Sequence, residues 1–182
     1  MTWTIPGTTL QIDRAAANNI ETQFTSMFLA GGITLSQVAS ITGLEPYTVQ
    51  NWVKRGFLTA PDHKRYNLNQ LCRVININML KKVLPMERIV GLLTYINGKL
   101  GDTSDDLVDD SQLYFMFVRL AARARHIGDT DNWEEALSHI AQEYHEPVPG
   151  AREKLIAVLR IMLTAWVAAT LHDAADRMIA AL

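Results

Sequence analysis

The sequence predicts an all-α (mainly helical) protein with a small β-hairpin, and three observations support that fold class. Apolar residues recur at helical spacing over most of the 182 residues. Hydrophobic residues make up 48% of the chain, enough for a core, whereas aromatics make up only 8% and Gly and Pro are scarce. Three of the helical stretches begin with the residue spacing of a capping box.

The N-terminal segment, residues 1–32, is expected to hold an arm and one helix. Residues 1–10 contain Pro6-Gly7 and are expected to form an extended arm. Apolar residues then follow helical spacing from residue 10 to residue 29, and the pair Gly31-Gly32 ends the pattern.

Two short helices are predicted over residues 33–56. Thr34 and Gln37 have capping-box spacing and start the first helix. Gly43 is suited to end it, because glycine reaches the left-handed conformation at little cost. Pro46 opens the second helix, at a position where proline is tolerated. The inward-facing residues of the second helix are Val49, Trp52 and Val53.

Such a pair of helices around a glycine turn is a helix-turn-helix, and its second helix is suited to DNA. Helix 46–55 carries hydrogen-bonding side chains and two adjacent cations on its outer surface. These groups can read base edges in the major groove. The predicted DNA contacts on this helix are Tyr47, Thr48, Gln50, Asn51, Lys54 and Arg55.

A β-hairpin wing is predicted directly after this helix, over residues 57–66. The sequence Pro61-Asp62-His63 has turn chemistry, and its flanks can pair as short strands. The cations after the turn can meet backbone phosphates, and the tyrosine that follows can pack underneath or offer its hydroxyl. An ordinary surface loop is the alternative. The predicted wing contacts are His63, Lys64, Arg65 and Tyr66.

Two further helices are predicted before residue 100. Asn67 and Gln70 repeat the capping-box spacing and start a helix that is apolar on two sides, as buried helices are. This helix holds the single cysteine, which we expect to be buried and unreactive. The next helix begins at Pro85 and is expected to end near Asn97-Gly98.

The chain changes character after residue 100. Residues 101–110 are rich in aspartate and are expected to form a solvated linker. Beyond it, helices are predicted from Gln112 to Ile127, from Asp131 to about Tyr144, and from Ala151 to the end of the chain. Asp131 and Glu134 have capping-box spacing and start the second of these helices. The predicted divisions are residues 1–32 (arm and helix), 33–100 (winged DNA-binding domain) and 101–182 (helical dimerisation or effector domain).

The charges follow the same division. Residues 31–100 carry nine Lys or Arg and three acidic residues, whereas residues 101–182 carry seven and fourteen. Basic residues clustered around a helix-turn-helix indicate a surface for nucleic acid. A solvated helix surface is the alternative.

Other function classes find little support in the sequence. A single cysteine excludes a disulfide or a thiolate metal cluster within one chain, and residues 1–9 lack the features of a signal peptide, so we expect a cytoplasmic protein. His139 lies four residues from Glu135 and Glu143, a spacing typical of surface hydrogen bonds, so no metal is predicted. No nucleotide or nucleophile motif is evident, so neither an enzyme nor a cofactor is predicted.

The apolar segment from Leu155 to Leu171 is near the lower length limit for a membrane span and contains Arg160. A buried helix or a helix in a subunit interface is therefore favoured, and no membrane association is predicted.

Residues 33–58, ITLSQVASITGLEPYTVQNWVKRGFL, resemble the opening of the MerR family of winged-helix transcription regulators. A fuller resemblance is to a family of uncharacterised bacterial proteins in which a MerR-like unit precedes a helical C-terminal part. The resemblance covers residues 33–96 and implies a winged helix-turn-helix that binds DNA. The matching positions are Ala39, Thr42-Gly43, Thr48, Gly56-Phe57 and Arg65-Tyr66.

We therefore predict a transcriptional regulator that binds double-stranded DNA. It would act as a homodimer, because two recognition helices must reach half-sites one turn apart, and it could respond to an unknown small-molecule or protein effector. One alternative is a protein–protein interaction module that has this fold but does not bind DNA. A second is a small-molecule binder with a pocket in the C-terminal helices.

Overall fold

The computed structural model describes residues 2–102, 104–124 and 130–182. Within these ranges the protein is mainly helical, as predicted, and has a small two-stranded antiparallel sheet. The strands are β1 (Thr2–Thr4) and β2 (Gln11–Asp13). The α-helices are α1 (Ile20–Ser26), α2 (Leu35–Thr42), α3 (Pro46–Lys54), α4 (Leu68–Leu80), α5 (Met86–Asn97), α6 (Asp110–Arg123), α7 (Thr130–Glu143) and α8 (Ala151–Ala180).

The N-terminal residues fold back as a hairpin, so the prediction of an extended arm is wrong. Strand β1 pairs with β2, with Trp3 opposite Ile12. The chain turns at Pro6-Gly7, where Gly7 has a φ of 74° and lies against α4. A Cβ at Gly7 would come within 2.8 Å of the Ile75 side chain, so both the conformation and the close approach require glycine.

The prediction of a single helix from residue 10 to residue 29 is also wrong. Its first residues pair in β2, and the carboxylate of Asp13 then accepts a hydrogen bond from the Ala15 amide at 2.9 Å. This cap starts a 3₁₀ helix, Arg14–Asn19, and only α1 is α-helical. Apolar periodicity could not separate these elements, because the hairpin depends on pairing with β1.

The predicted pair of short helices is confirmed as α2 and α3. The Thr34 amide donates to Gln37 Oε1 at 2.8 Å, and the Gln37 amide donates to Thr34 Oγ1 at 3.3 Å, which completes the capping box. Gly43 ends α2 with a φ of 69°. Pro46 is the first residue of α3, as predicted.

Helix α4 runs through the centre of the protein, with ten of its 13 residues buried, so the prediction of a helix apolar on two sides is confirmed. The capping box at Asn67 is also present. Asn78 Nδ2 donates to the carbonyl oxygens of Gly7 at 3.0 Å and Thr42 at 2.9 Å. Helix α4 therefore holds both the N-terminal hairpin and the end of α2.

The predicted acidic linker is well packed at its C-terminal end, so it is not solvated throughout. Asp109 is the N-cap of α6 and accepts from the amides of Ser111 and Gln112 at 2.9 Å each. Asp110, the first residue of α6, is buried, as is Val108. Helix α6 thus begins two residues before the predicted start.

The C-terminal helices largely match their predicted positions. Helix α6 ends at Arg123, and the predicted continuation to Ile127 falls outside the described residues from Arg125 onward. Helix α7 begins at Thr130, and the predicted capping side chain of Asp131 also lies outside the described part. Helix α8 begins at Ala151, as predicted.

In the described part of the chain, α8 is the one helix long and apolar enough to cross a membrane. Buried residues make up 44% of its most apolar stretch, and the Arg160 guanidinium forms two hydrogen bonds, of 2.9 and 2.7 Å, with the Glu134 carboxylate of α7. The core helix of a soluble protein has the same features, so α8 is only weak support for a membrane span.

One continuous core joins residues from all three predicted segments. Phe24 of α1 packs edge-to-face on Tyr114 of α6, with ring centroids 5.7 Å apart. The Tyr114 hydroxyl donates to the carbonyl oxygen of Pro6 at 2.9 Å. The three predicted segments therefore pack on one another in the structure. Their division into separate domains at residues 32 and 100 stays a prediction.

Candidate nucleic-acid interface

Helix α3 is held by its buried face and by a specific C-terminal cap. Val49 and Trp52 are buried. The Phe57 amide donates to the Trp52 carbonyl at 2.9 Å, and the Gly56 amide donates to the Val53 carbonyl at 3.1 Å. With a φ of 73° at Gly56, these bonds form a Schellman motif. The cap fixes where the chain leaves α3 and enters the predicted wing.

Four of the predicted helix contacts share the outer face of α3. Tyr47, Gln50, Asn51 and Lys54 are all exposed, and positions three, four and seven apart fall on one side of a helix. Tyr47 is 65% exposed, a high value for an aromatic side chain. Thr48 is half-buried and lies at the side of this face.

The remaining helix contact, Arg55, lies at the C-terminal end of α3. It is exposed, and its guanidinium carbon lies 4.7 Å from the centre of the Phe57 ring. This stacking directs the cation toward the residues that follow the helix.

The predicted wing is a tight turn without regular strands. The Arg65 amide donates to the Asp62 carbonyl at 2.7 Å, and the two residues between them, His63 and Lys64, have φ values of 44° and 63°. Positive φ at both central positions is the mark of a type I′ turn, in which Asn and Gly are usual. The predicted hairpin is therefore reduced to the single bridge between Asp62 and Arg65.

This turn holds His63 and Lys64 at its exposed tip. The Nδ1 atom of His63 lies 2.7 Å from an oxygen of the Asp62 carboxylate, and both side chains are 93% exposed. Arg65 is also exposed, and its Nη1 atom donates to the Gly32 carbonyl at 3.1 Å. The structure thus places three predicted wing contacts on the surface.

Tyr66 is not part of that surface. It is only 3% exposed, and its amide and carbonyl pair with Ile33 at 2.8 and 2.9 Å. Burial raises the pKa of its hydroxyl. Of the two roles considered for Tyr66, packing underneath the turn is the one observed, because its backbone pairing turns the ring into the core.

A buried arginine links this surface to the C-terminal half, and sequence reasoning missed it. Arg73 of α4 is 4% exposed. Its Nε donates to the Phe57 carbonyl at 2.8 Å, and its Nη1 donates to Asp110 Oδ2 at 3.1 Å. Gln70, one turn earlier, donates to both carbonyl oxygens of Thr59 and Ala60, at 3.2 and 2.9 Å. Helix α4 thereby anchors the segment between α3 and the turn.

The partner carboxylate, Asp110, lies in the same buried environment. Burial raises its pKa, while the charge and the hydrogen bond of Arg73 act in the opposite direction. Asn76 Nδ2 donates to the Asp110 backbone carbonyl at 3.2 Å, which holds the first turn of α6 against α4. The capping-box spacing of Asp109 and Gln112 is a sequence signal from which this helix start could have been predicted, although the prediction placed it at Gln112.

These contacts change the interpretation of the basic and acidic segments seen in the sequence. Two cations of the basic segment, Arg73 and Lys82, pair with Asp110 and Asp173 of the acidic half. The two halves therefore neutralise each other in part. The cations that stay exposed on α3 and the turn are Lys54, Arg55, Lys64 and Arg65.

Possible metal ligands cluster at one place in the described residues, near the end of α8. His172, Asp173 and Asp176 have ligand atoms within 4.8 Å of one another. The group is largely exposed, and the Lys82 ammonium already lies 2.7 Å from the Asp173 carboxylate. This arrangement is that of a surface ion-pair network, and exposed acidic groups are common without a metal.

Comparisons with known proteins point to one family. The family model described as "Domain of unknown function (DUF1836)" matches residues 17–117, more than half of the chain. The uncharacterized protein YkrK of Bacillus subtilis (strain 168) is 27% identical over 128 residues, which cover 68% of this chain and 54% of YkrK. The matched region thus spans about half the length of that relative. No solved structure matches the chain.

The buried pair between Arg73 and Asp110 yields a stability prediction. Arg73→Leu leaves an unpaired buried carboxylate, so the free energy of unfolding should fall by about 3–5 kcal/mol. The double variant Arg73→Leu/Asp110→Leu should lose less than Arg73→Leu alone, because no buried charge stays uncompensated. Urea unfolding followed by circular dichroism measures both of these variants and the single variant Asp110→Leu. A double variant at least as unstable as the sum of the two single variants would contradict the coupling.

Proposed function

We propose that this chain, which belongs to the DUF1836 family, is a cytoplasmic transcriptional regulator that binds double-stranded DNA through a MerR-like winged helix-turn-helix. The observation that carries the proposal is the composition of one surface. Hydrogen-bonding side chains line the outer face of α3, and exposed cations lie at its end and on the following turn. That combination suits a reader of base edges flanked by phosphate contacts.

Helix α3 would enter the major groove with its exposed face toward the bases. A helix with its side chains is about 10–12 Å across, and the groove is about 12 Å wide. Gln50 and Asn51 can each form two hydrogen bonds with an adenine edge. Tyr47, at the start of the helix, offers a hydroxyl and a ring for contacts with the backbone or a thymine methyl group.

The turn would contact the phosphates beside the groove. Lys64 lies at the turn tip, and Arg65 is steadied by its hydrogen bond to Gly32. Lys54 and Arg55 are exposed at the C-terminal end of α3 and offer two further cations. Phosphate contacts of this kind position a protein on the duplex and supply most of the sequence-independent affinity.

The proposed active form is a homodimer. A dimer with two-fold symmetry can place two recognition helices in half-sites about one helical turn apart. Helix α8 supports this proposal, because several large apolar residues along it are exposed in the single chain and could be covered by a second copy. These residues are Ile161, Leu171, Met178 and Ile179.

A protein-interaction module that does not bind DNA is the second candidate. The observation that favours it is the exposed carboxylate of Asp62, which lies in the turn among the proposed phosphate contacts. A carboxylate close to phosphates is repelled by them, whereas the same mixed surface suits a charged protein partner. DNA-binding measurements on substituted proteins separate the two functions.

The first such prediction concerns Asn51. Asn51→Ala should weaken binding to a specific site by about 1–3 kcal/mol and leave binding to random DNA almost unchanged, because a base contact contributes only where the right base is present. Fluorescence anisotropy with a selected site and a scrambled site measures both affinities. Asn18→Ala, an exposed asparagine far from α3 in sequence, is the matched control. Equal losses on both DNA molecules would exclude base reading by Asn51.

The second prediction concerns the salt dependence of binding. The double variant Lys64→Gln/Arg65→Gln should give a shallower slope of log affinity against log salt, by about two units per subunit, because each phosphate contact contributes roughly 0.9 units. The double variant Lys154→Gln/Arg177→Gln removes two exposed cations from α8 and should keep the original slope. An unchanged slope in the first variant would show that the turn does not touch DNA.

A further inference from the structure

A polar cleft of about 650 Å³ lies between the turn and the acidic segment after α5. Residues 58–65 form one wall, the first turns of α4 form the floor, and residues 97–102, 106 and 110 form the other wall. Small-molecule sites generally have volumes of about 300–1,000 Å³. The cleft is therefore large enough for a metabolite, and it lies away from the C-terminal helices in which sequence reasoning placed a possible pocket.

Unpartnered polar groups lie along this cleft. Asn97 lines it and is only 6% exposed, yet neither atom of its amide has a hydrogen-bonding partner. Asp110, at 4% exposure, uses one carboxylate oxygen for Arg73 and leaves Oδ1 unpartnered. An unpaired buried polar group destabilises the folded protein. Because Asn97 and Asp110 both line the cleft, their unfilled groups are the ones that a molecule bound there would complete.

The third group is Asp106, which is partly buried and lines the same cleft. Within the described residues its carboxylate has no hydrogen-bonding or ion-pair partner. Burial, followed by the charges of nearby aspartates, raises its pKa to about 6. The aspartates that act on it are Asp102, Asp105, Asp109 and Asp110. The potential at Asp106 is therefore negative.

The charged groups around the cleft do not cancel that potential at Asp106. Arg73 is already engaged by Asp110 and by the Phe57 carbonyl. Arg65 donates to Gly32, and His63 lies against Asp62 on the opposite wall. Lys99 is an exposed rim residue.

Counting hydrogen-bonding capacity defines the ligand further. Asp106, Asp110 Oδ1 and the Asn97 carbonyl are unfilled acceptors, whereas the Asn97 NH₂ is the unfilled donor among these three residues. A primary ammonium group brings three donors and a positive charge. A metal ion fits less well, because in the described residues the carboxylates of the cleft do not form a group of three within 4.8 Å.

We propose that this cleft binds a small polar molecule through a primary ammonium group held by Asp106, with Asn97 contacting a neighbouring polar group. Because the molecule would lie between residues 58–65 on one wall and residues 97–102, 106 and 110 on the other, its binding would join the two walls. The site is inferred from the cleft alone and does not depend on DNA binding.

Calorimetric titration of the full chain at pH 7.5 with putrescine, ethanolamine, L-lysine and glucosamine tests the proposal. At least one amine should bind, and its neutral analogue should bind at least ten-fold more weakly. The analogues, in the same order, are 1,4-butanediol, ethylene glycol, N-acetylnorleucine amide and glucose. Asp106→Asn should weaken amine binding at least ten-fold. Glu21→Gln, which removes an exposed carboxylate from α1, should leave it unchanged.

The pH dependence gives an independent readout. Protonation of Asp106 removes its charge, so with a pKa of about 6 the affinity should fall about ten-fold between pH 7.5 and pH 5. The Asp106→Asn variant should show no such fall. Asn97→Leu should also weaken binding while circular dichroism shows the native helix content.

Four results would overturn the proposal. The first is that no amine binds at 10 mM. The second is that the neutral analogues bind as tightly as the amines. The third is that Glu21→Gln lowers affinity as much as Asp106→Asn. The fourth is that CaCl₂ or MgCl₂ binds and abolishes amine binding only in the protein with Asp106 intact, which would assign the cleft to a metal ion.

Discussion

The ion pair between Arg73 and Asp110 is the contact on which the arrangement of this protein depends. A guanidinium that is almost fully buried is stable only if its donors find partners, and here they lie on two different elements. One is the Phe57 carbonyl, just after α3, and the other is the first residue of α6. The position of α3 relative to the C-terminal half is therefore coupled to a buried charge.

This coupling places the proposed DNA surface and the proposed ligand cleft on a shared wall. Residues 59–65 carry the exposed cations Lys64 and Arg65 and also line the cleft, and Arg65 belongs to both surfaces. Gln70 holds the beginning of that segment through the carbonyls of Thr59 and Ala60. If both proposals hold, a ligand in the cleft would contact the same turn that contacts phosphates, which is the physical requirement for an effector to alter DNA affinity.

Sequence reasoning succeeded where a local rule decides the structure. The capping boxes at Thr34 and Asn67 and the left-handed Gly43 involve residues within a few positions of each other, so the sequence contains the whole interaction. It failed where distant residues decide. The N-terminal hairpin needs its partner strand, and Arg73 needed a carboxylate 37 positions away, so a cation counted as surface charge proved to be part of the core. The exposed face of α3 was predictable because one helical period defines it.

The most direct test of the central proposal is selection of genomic DNA fragments by the purified full-length protein, followed by sequencing. We expect enrichment of fragments that share a motif arranged as two half-sites about 34–36 Å apart, since a symmetric pair of recognition helices reads DNA at that spacing. Enrichment no greater than that obtained with an empty resin, at both 50 mM and 150 mM salt, would contradict DNA binding and would favour a protein partner for the α3 surface.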